Sequence, residues 1–246
     1  MMLTLKVISR LMAYPSEETV QAAPEMLKAL RKEQALSQER MTTLEAFIQR
    51  LQEAPLMTLQ EEYVALFDRG RHLSLHLFEH VHGESRDRGQ AMVELINYYR
   101  ESGLELDARE LPDYLPLLLE FLSTRSREEI QAMLNDAMAV IVLLGARLRE
   151  KASDRAVLFE ALVEIGGEPA EAKAMREQAA KEGPDETITK MDEIWEEEQV
   201  TFMANHDPSQ SGEGCPISQS GKPQQEVPIQ WMEKPGQSPS NGAGRS

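Results

Sequence analysis

The stretch that decides the fold is SREEIQAMLNDAMAVIVLLGARLRE, residues 126–150. Ser126 with Glu129 three positions later forms a capping-box pattern, which predicts the start of a helix. Apolar residues then recur every three or four positions, which predicts one broad core-facing side. These residues are Ile130, Met133, Leu134, Ala137, Val140, Ile141, Leu144 and Leu148. We expect this segment to be the central helix of a bundle.

Shorter apolar stripes with the same period lie on both sides of it. Residues 85–101 are expected to form a helix that buries an apolar stripe and ends at Gly103 in a left-handed cap. That stripe consists of Met92, Val93, Leu95, Ile96 and Tyr99. In ELPDYLPLLLEFL, residues 110–122, we expect Asp113 to cap the helix and Pro116 to lie in its first turn. No stretch alternates with a period of two, so the fold class is predicted to be all-α.

The C-terminal part of the chain differs in composition. About half of residues 207–246 are Gly, Pro or Ser, a composition that buries too little apolar surface to offset chain entropy. We therefore predict a single-domain helical bundle over residues 1–206 and a disordered tail over residues 207–246.

Charge and cysteine content exclude several functional classes. The net charge of -16 argues against binding nucleic acid and suits a basic partner. The single cysteine, Cys215, excludes an intramolecular disulfide and a Cys-rich zinc site. The longest apolar run is about eight residues, against the ~20 of a membrane helix, and no signal peptide is evident. We expect a cytoplasmic protein without membrane insertion.

Four of the five histidines fall within residues 63–89, which raises the possibility of a metal site. His72, His76 and His80 are spaced by four, so on one continuous helix they would form a stripe, with His82 close by. A metal-dependent helical enzyme using His76, His80 and His82 is therefore one hypothesis. It is the weaker one, because no HExxH, GxSxG or Gly-rich phosphate loop is present. In the structural alternative these side chains cap, hydrogen-bond or face solvent.

An acidic segment near the end of the predicted domain suggests another hypothesis. Asp192, Glu193 and residues 196–198 surround Trp195. Such a run is usually a solvated helix face, but an exposed Trp among carboxylates also suits an arginine-bearing peptide. On this second interpretation the chain would be a general acidic helical adaptor.

Several motifs resemble one known family. They are Tyr63-x-x-x-Phe67-Asp68, LFEHVHGESRDRGQAM at residues 77–92, ELPDYLPLLLEFL at residues 110–122 and WEEEQV at residues 195–200. Together they are similar to the NarJ family, the delta-subunit assembly chaperones of respiratory nitrate reductase. Through Glu110-x-Pro112-Asp113 the chain more distantly resembles the TorD/DmsD group of redox-enzyme maturation chaperones.

The resemblance implies an all-helical, TorD-like fold and a chaperone function in the cytoplasm. Such a chaperone binds the N-terminal, twin-arginine-like remnant of the apo nitrate reductase alpha subunit. It assists insertion of the molybdenum cofactor and the iron–sulfur cluster, delays membrane docking and is absent from the finished enzyme. The resemblance implies no permanently bound cofactor, and it allows molybdenum cofactor delivery proteins as further partners.

The same resemblance suggests a peptide-binding groove lined by helices around residues 63–67, 85–99 and 113–122. The candidate peptide-binding residues are Tyr63, Phe67, Asp68, His80, His82, Glu84, Arg86, Glu110, Pro112, Asp113, Tyr114 and Glu120. We assign no catalytic and no metal-binding residue. The wider family usually has His after the Pro-Asp pair, whereas this chain has Tyr114, so a role that needs an imidazole there is in doubt.

Overall fold

The computed structural model describes residues 1–83, 85–106, 110–183 and 185. The helices in these residues are α1 Leu3–Met12, α2 Glu17–Glu33, α3 Gln38–Glu53, α4 Leu56–Tyr63, α5 Leu77–His82, α6 Asp87–Glu101, α7 Leu115–Leu122, α8 Arg127–Glu150, α9 Ala156–Gly166 and α10 Ala172–Lys181. A π-helical turn, Val64–Asp68, continues α4. In the described ranges the β-type pairing amounts to one isolated bridge, between His76 and Tyr114. The predicted all-α class is confirmed.

Three regions from the sequence predictions lie outside the described residues. These are Glu84, the acidic segment around Trp195 and the predicted tail at residues 207–246. The domain boundary at residue 206 therefore stays a prediction.

The long helix α8 is central, as predicted. The backbone N–H of Glu129 donates to Ser126 Oγ at 3.2 Å, and the Ser126 N–H donates to Glu129 Oε2 at 3.0 Å, which completes the capping box. Its buried side packs against α9, α10 and α5. Among the described helices, α8 alone is long and apolar enough to cross a membrane, a test that the core helix of a soluble domain also passes.

Helix α7 packs against α1, and the hydroxyl of Ser9 donates to the carbonyl of Pro116 at 2.6 Å. Its apolar residues Leu115, Leu118, Leu119 and Leu122 are buried. The expectation that Asp113 caps this helix is wrong. Tyr114 occupies the N-cap position and no side chain caps α7, because the Asp113 carboxylate is bound to another element.

Helix α6 ends as predicted but is less buried than predicted. Gly103 has a φ of +83°, and the N–H of Leu104 donates to Tyr99 O at 2.9 Å, as in a Schellman cap. Within α6 only Tyr99 is fully buried, and Val93 is 50% exposed, so its predicted burial is wrong. The physical reason is that α6 packs mainly against α5, which covers one side of the helix.

Arg147 of α8 connects Glu182, near the end of the described residues, to the loop that precedes α5. Its guanidinium donates to both carboxylate oxygens of Glu182, at 2.6 and 2.8 Å, and to the carbonyl of His72 at 2.6 Å. The Asp185 carboxylate accepts from the His72 N–H at 3.0 Å. Glu182 and Asp185 are thereby held against the loop at residues 71–76, which precedes α5.

Candidate functional site

Asp113 is the centre of the best-organised polar cluster in the described residues. Its side chain is fully buried, Oδ2 accepts from the N–H of Phe78 at 3.0 Å, and Oδ1 lies 3.2 Å from His76 Nδ1. Because Phe78 is the second residue of α5, the carboxylate satisfies an orphan N–H in the first turn of that helix. Asp113 therefore caps α5 from across the fold.

The backbone strengthens the same junction. The N–H of Leu77 donates to Asp113 O at 3.1 Å, and the N–H of Leu115 donates to Leu75 O at 2.8 Å. These two bonds flank the bridge between His76 and Tyr114. The loop at residues 71–76 and the start of α7 are thus tied together by backbone and side chain.

His76 is the histidine that belongs to this cluster. The hydrogen bond to Asp113 raises the pKa of His76 above its ordinary value, and this effect outweighs burial, which acts in the opposite direction. Its ring lies 5.4 Å from the ring of Tyr114. Although Tyr114 replaces the family histidine, the structure brings an imidazole next to that position from elsewhere in the sequence.

Three aromatic rings, those of Tyr14, Tyr63 and Phe67, adjoin Tyr114, and we call this group the aromatic wall. The Tyr114 hydroxyl lies 3.1 Å from the Tyr63 hydroxyl. The centre of the Tyr63 ring is 4.9 Å from that of Phe67 and 5.4 Å from that of Tyr14. Phe67 lies within the π-helical turn Val64–Asp68, which directly follows Tyr63, and such turns are common at functional sites. Burial raises the pKa of both Tyr63 and Tyr114, so both phenols remain protonated donors at neutral pH.

Two exposed carboxylates border the wall. Asp68 ends the π-helical turn, Glu110 lies shortly before α7, and both raise the pKa of Tyr114 through their negative charge. Both carboxylates are thus within electrostatic range of Tyr114. We call the whole group the Tyr114 site, and it comprises Tyr14, Tyr63, Phe67, Asp68, His76, Glu110, Asp113 and Tyr114.

Arg155 supports the wall from behind, and sequence reasoning missed it. Its guanidinium carbon lies 5.5 Å from the centre of the Tyr63 ring and 5.9 Å from those of Phe67 and Phe47. The side chain is buried, which lowers the pKa of Arg155, and its Nη2 has no hydrogen-bond partner among the described residues. No local pattern marks this arginine, because its aromatic neighbours come from distant segments.

Pro112 contributes to the site through its backbone. It is buried, and its carbonyl accepts from the Tyr99 hydroxyl at 2.9 Å. The bond anchors the chain just before Asp113 to α6, and this role is structural.

His80 and His82 are placed differently from His76. The Nε2 of His80 lies 2.8 Å from the carbonyl of Ser74, and burial lowers the pKa of His80. His82 stacks edge-on against Phe78 at 5.4 Å. Both histidines therefore support α5 and the loop before it, and neither belongs to the Tyr114 site.

Two further candidate residues lie away from the Tyr114 site. Arg86 is exposed at the start of α6. Glu120 lies on the side of α7 that faces α1, with its carboxylate 3.7 Å from Lys6 Nζ. Glu84 is outside the described residues.

The condition for a histidine stripe, one continuous helix, is not met. His72 lies in a turn, His76 in the bridge and His80 in α5, so the three do not share a continuous helix. In the parts of the chain that the structure describes, no group of three or more His, Cys, Asp and Glu side chains is placed to hold a metal ion.

A separate concavity of about 590 Å³ lies between α8, α9 and α10. The arginines at its edge are already paired, Arg40 with Glu160 and Arg176 with Glu168. Because these arginines are neutralised by neighbouring carboxylates, the concavity has little net charge with which to select a charged partner. The Tyr114 site, in contrast, has two exposed carboxylates, Asp68 and Glu110.

The known proteins that are similar to this chain have names that refer to nitrate reductase. The family model described as nitrate reductase delta subunit matches residues 17–154. The nitrate reductase molybdenum cofactor assembly chaperone NarJ of Escherichia coli (strain K12) is 43% identical over 204 residues, which are 83% of this chain and 86% of that protein.

Two further relatives carry similar names. The protein named probable nitrate reductase molybdenum cofactor assembly chaperone NarW, from Escherichia coli (strain K12), is 42% identical over 82% of this chain and 84% of its own length. The corresponding probable NarJ of Bacillus subtilis (strain 168) is 34% identical over 67% of this chain and 90% of its own. The chain belongs to the nitrate reductase delta-subunit family and is a chaperone, not itself an enzyme.

Proposed function

We propose that this chain is the assembly chaperone of a nitrate reductase. It binds the twin-arginine-like N-terminal segment of the apo alpha subunit while the molybdenum cofactor and the iron–sulfur cluster are inserted. It thereby delays membrane docking until maturation is complete. It acts in the cytoplasm, keeps no cofactor of its own and receives the help of molybdenum cofactor delivery proteins. The names of its relatives, which refer to molybdenum cofactor assembly, support this proposal.

The observation that carries the proposal is the combination of exposed carboxylates and aromatic rings at the Tyr114 site. Asp68 and Glu110 are both exposed and both act electrostatically on Tyr114. A guanidinium group pairs with carboxylates and stacks on aromatic faces, so this surface is suited to arginine. Tyr14 and the half-buried Tyr114 are the rings that a partner can reach, since Tyr63 and Phe67 are buried.

Apolar contacts would supply most of the affinity. An exposed ion pair contributes ~0.2–1 kcal/mol, whereas burial of a large apolar side chain contributes ~1.5–3 kcal/mol. Tyr14 in the site and Leu111 next to Glu110 are about half exposed and offer such surface to an amphipathic segment. The carboxylates would then select a basic partner and accelerate encounter.

Calorimetry with a synthetic peptide from the alpha-subunit N-terminus tests the proposal. A double variant, Asp68→Asn with Glu110→Gln, should weaken the Kd by about tenfold, since two partly screened ion pairs are lost. Glu120→Gln removes an exposed carboxylate that pairs with Lys6, and it should leave the Kd unchanged.

Two results would count against this site. In one, the wild-type chain shows no binding to the peptide. In the other, Glu120→Gln weakens the Kd as much as Asp68→Asn or Glu110→Gln does alone, so that total charge and not the Tyr114 site determines affinity.

A further inference from the structure

A short segment joins two parts of the Tyr114 site. Residues 69–75, which we call the connecting segment, follow the π-helical turn Val64–Asp68 and its exposed Asp68 carboxylate. They lead into His76, which forms the bridge to Tyr114. The connecting segment consists of turns and is not helical, so its path depends on contacts with other elements.

Arg147 binds the connecting segment at its middle. His72 lies four residues after Asp68 and four residues before His76. Its carbonyl accepts from Arg147 Nη1 at 2.6 Å, and a hydrogen bond from a charged donor is among the strong ones in proteins. The N–H of His72 donates to the Asp185 carboxylate at 3.0 Å. Both backbone groups of His72 are therefore bound.

Glu182 holds the guanidinium of Arg147 in place. Nε and Nη2 donate to its two carboxylate oxygens at 2.6 and 2.8 Å, which leaves Nη1 for His72. A bidentate pair fixes the plane of a guanidinium better than a single contact does. The Arg147 side chain is only 12% exposed, on the central helix α8. Arg147 therefore presents Nη1 to the connecting segment from a rigid support.

The position of the connecting segment determines the geometry of the Tyr114 site. The carbonyl of Leu75 accepts from the N–H of Leu115 at 2.8 Å, and His76 Nδ1 lies 3.2 Å from Asp113 Oδ1. Both contacts lie directly beside Tyr114 in the chain or across the bridge. A displacement of the connecting segment would therefore change how Tyr114 is placed relative to Asp68.

We propose that Arg147 is a positioning residue for the Tyr114 site. By holding the His72 carbonyl it sets the separation of Asp68 from Tyr114, and with it the affinity for a basic partner segment. This inference rests on the proposed function, which assigns that partner to the site. Arg147 is mostly buried and acts through the connecting segment, not by contact with the partner.

A matched pair of arginine variants tests the proposal. Arg147→Met removes the guanidinium and keeps much of the side-chain volume. In calorimetry with the alpha-subunit peptide and the full chain, it should weaken the Kd by about three- to tenfold. Arg40→Met is the control, because Arg40 is also partly buried and binds a carboxylate on another helix, Glu160 of α9. It changes the net charge equally and should leave the Kd unchanged.

An NMR titration of His76 separates the effect of position from that of charge. The hydrogen bond to Asp113 raises the pKa of His76, Glu79 raises it further, and Arg88 lowers it. If Arg147→Met displaces the connecting segment, this hydrogen bond weakens and the pKa of His76 should fall toward its ordinary 6.5. Loss of a nearby positive charge alone would instead raise the pKa.

Arg147→Lys provides a second variant in case circular dichroism shows that Arg147→Met is unfolded. Lysine keeps the positive charge but lacks the planar fork, so it cannot hold Glu182 and the His72 carbonyl together in the same geometry. Its Kd should lie between those of wild type and Arg147→Met. The pKa of His76 should again fall, and in this variant no change of charge contributes.

The proposal is overturned if either the Kd or the pKa of His76 in the folded Arg147 variants stays as in Arg40→Met. A rise in the pKa of His76 in Arg147→Met also overturns it, because the effect is then one of charge. If the wild-type chain does not bind the peptide, the proposed function fails. The pKa of His76 then decides by itself whether Arg147 positions the Tyr114 site.

Discussion

At the scale of single residues, the buried Asp113 carboxylate connects the elements of the Tyr114 site. Its two oxygens are used by Phe78 and His76, which belong to a different part of the chain. Asp113→Asn should lower the free energy of unfolding by about 1.5–3 kcal/mol, the usual contribution of hydrogen bonds to a charged group. Urea denaturation measures this loss. Glu110→Gln, at an exposed carboxylate of the same site, should change the free energy by less than ~0.5 kcal/mol. Equal effects of the two variants would contradict the assigned role of Asp113.

His76 makes stability depend on pH in a defined direction. Its pKa is raised in the folded protein by the hydrogen bond to Asp113. Its contribution to stability is therefore fully present below the unfolded-state pKa, near 6.5, and is lost as pH rises through the raised folded pKa. The difference in free energy of unfolding between wild type and His76→Asn should follow this curve. A difference that grows with rising pH would contradict the assignment.

Arg155 presents two opposing effects. Burial of a guanidinium costs several kcal/mol, while the three aromatic rings lie near the ~6 Å limit of cation–π attraction. We expect Arg155→Met to change the free energy of unfolding by less than about 1 kcal/mol, because the volume is largely kept and the buried charge is removed. Arg155→Ala should cost about 3 kcal/mol through the cavity it leaves. Equal losses in urea denaturation would show that the cation–π contacts outweigh the cost of burying the charge.

At the scale of helices, the contact of α8 with α9 depends on a glycine. A Cβ added at Gly145 would lie 2.9 Å from Phe159 Cβ, which is too close for both helices to stay in place. Gly145→Ala should therefore lower the free energy of unfolding by about 1–2 kcal/mol, although Ala alone favours a helix by ~1 kcal/mol.

Gly89 in α6 provides the control for Gly145. A Cβ at Gly89 meets nothing within 4 Å, so Gly89→Ala should raise the free energy of unfolding by about 0.5–1 kcal/mol. Thermal denaturation of both variants measures the contrast. A stabilising effect of Gly145→Ala would show that the contact between α8 and α9 can accommodate an added Cβ.

At the scale of the whole molecule, Arg147 joins three distant segments. It contacts Glu182 after α10 and His72 before α5. Glu182→Gln should lower the free energy of unfolding by about 1–3 kcal/mol, because the charged pair is largely shielded from solvent.

The pH dependence of this pair is opposite to that of His76. The hydrogen bond from Arg147 lowers the pKa of Glu182 below its ordinary 4.5. The stabilisation is thus present at pH 7 and is lost as pH falls through the lowered folded pKa. Wild type and Glu182→Gln should therefore converge in stability at strongly acidic pH. A constant difference over the whole acidic range would contradict the predicted contact.

The amino-acid sequence by itself determined the helices and the family. The stripe of α8, the apolar run of α7 and the capping box at Ser126 and Glu129 are local patterns, so spacing alone predicts them. The motifs in residues 63–68, 77–92 and 110–122 were sufficient to identify the family.

Only the tertiary structure decided what several side chains contact. Asp113 has the sequence features of a local cap but caps α5, Arg155 lies behind the aromatic wall, and Val93 remains exposed on α6. Each outcome depends on residues far away in the chain, and helical periodicity carries no information about which elements meet. Within residues 63–89, where the histidines suggested a reaction centre, the fold assigns His76 to Asp113 and leaves His80 and His82 to support α5.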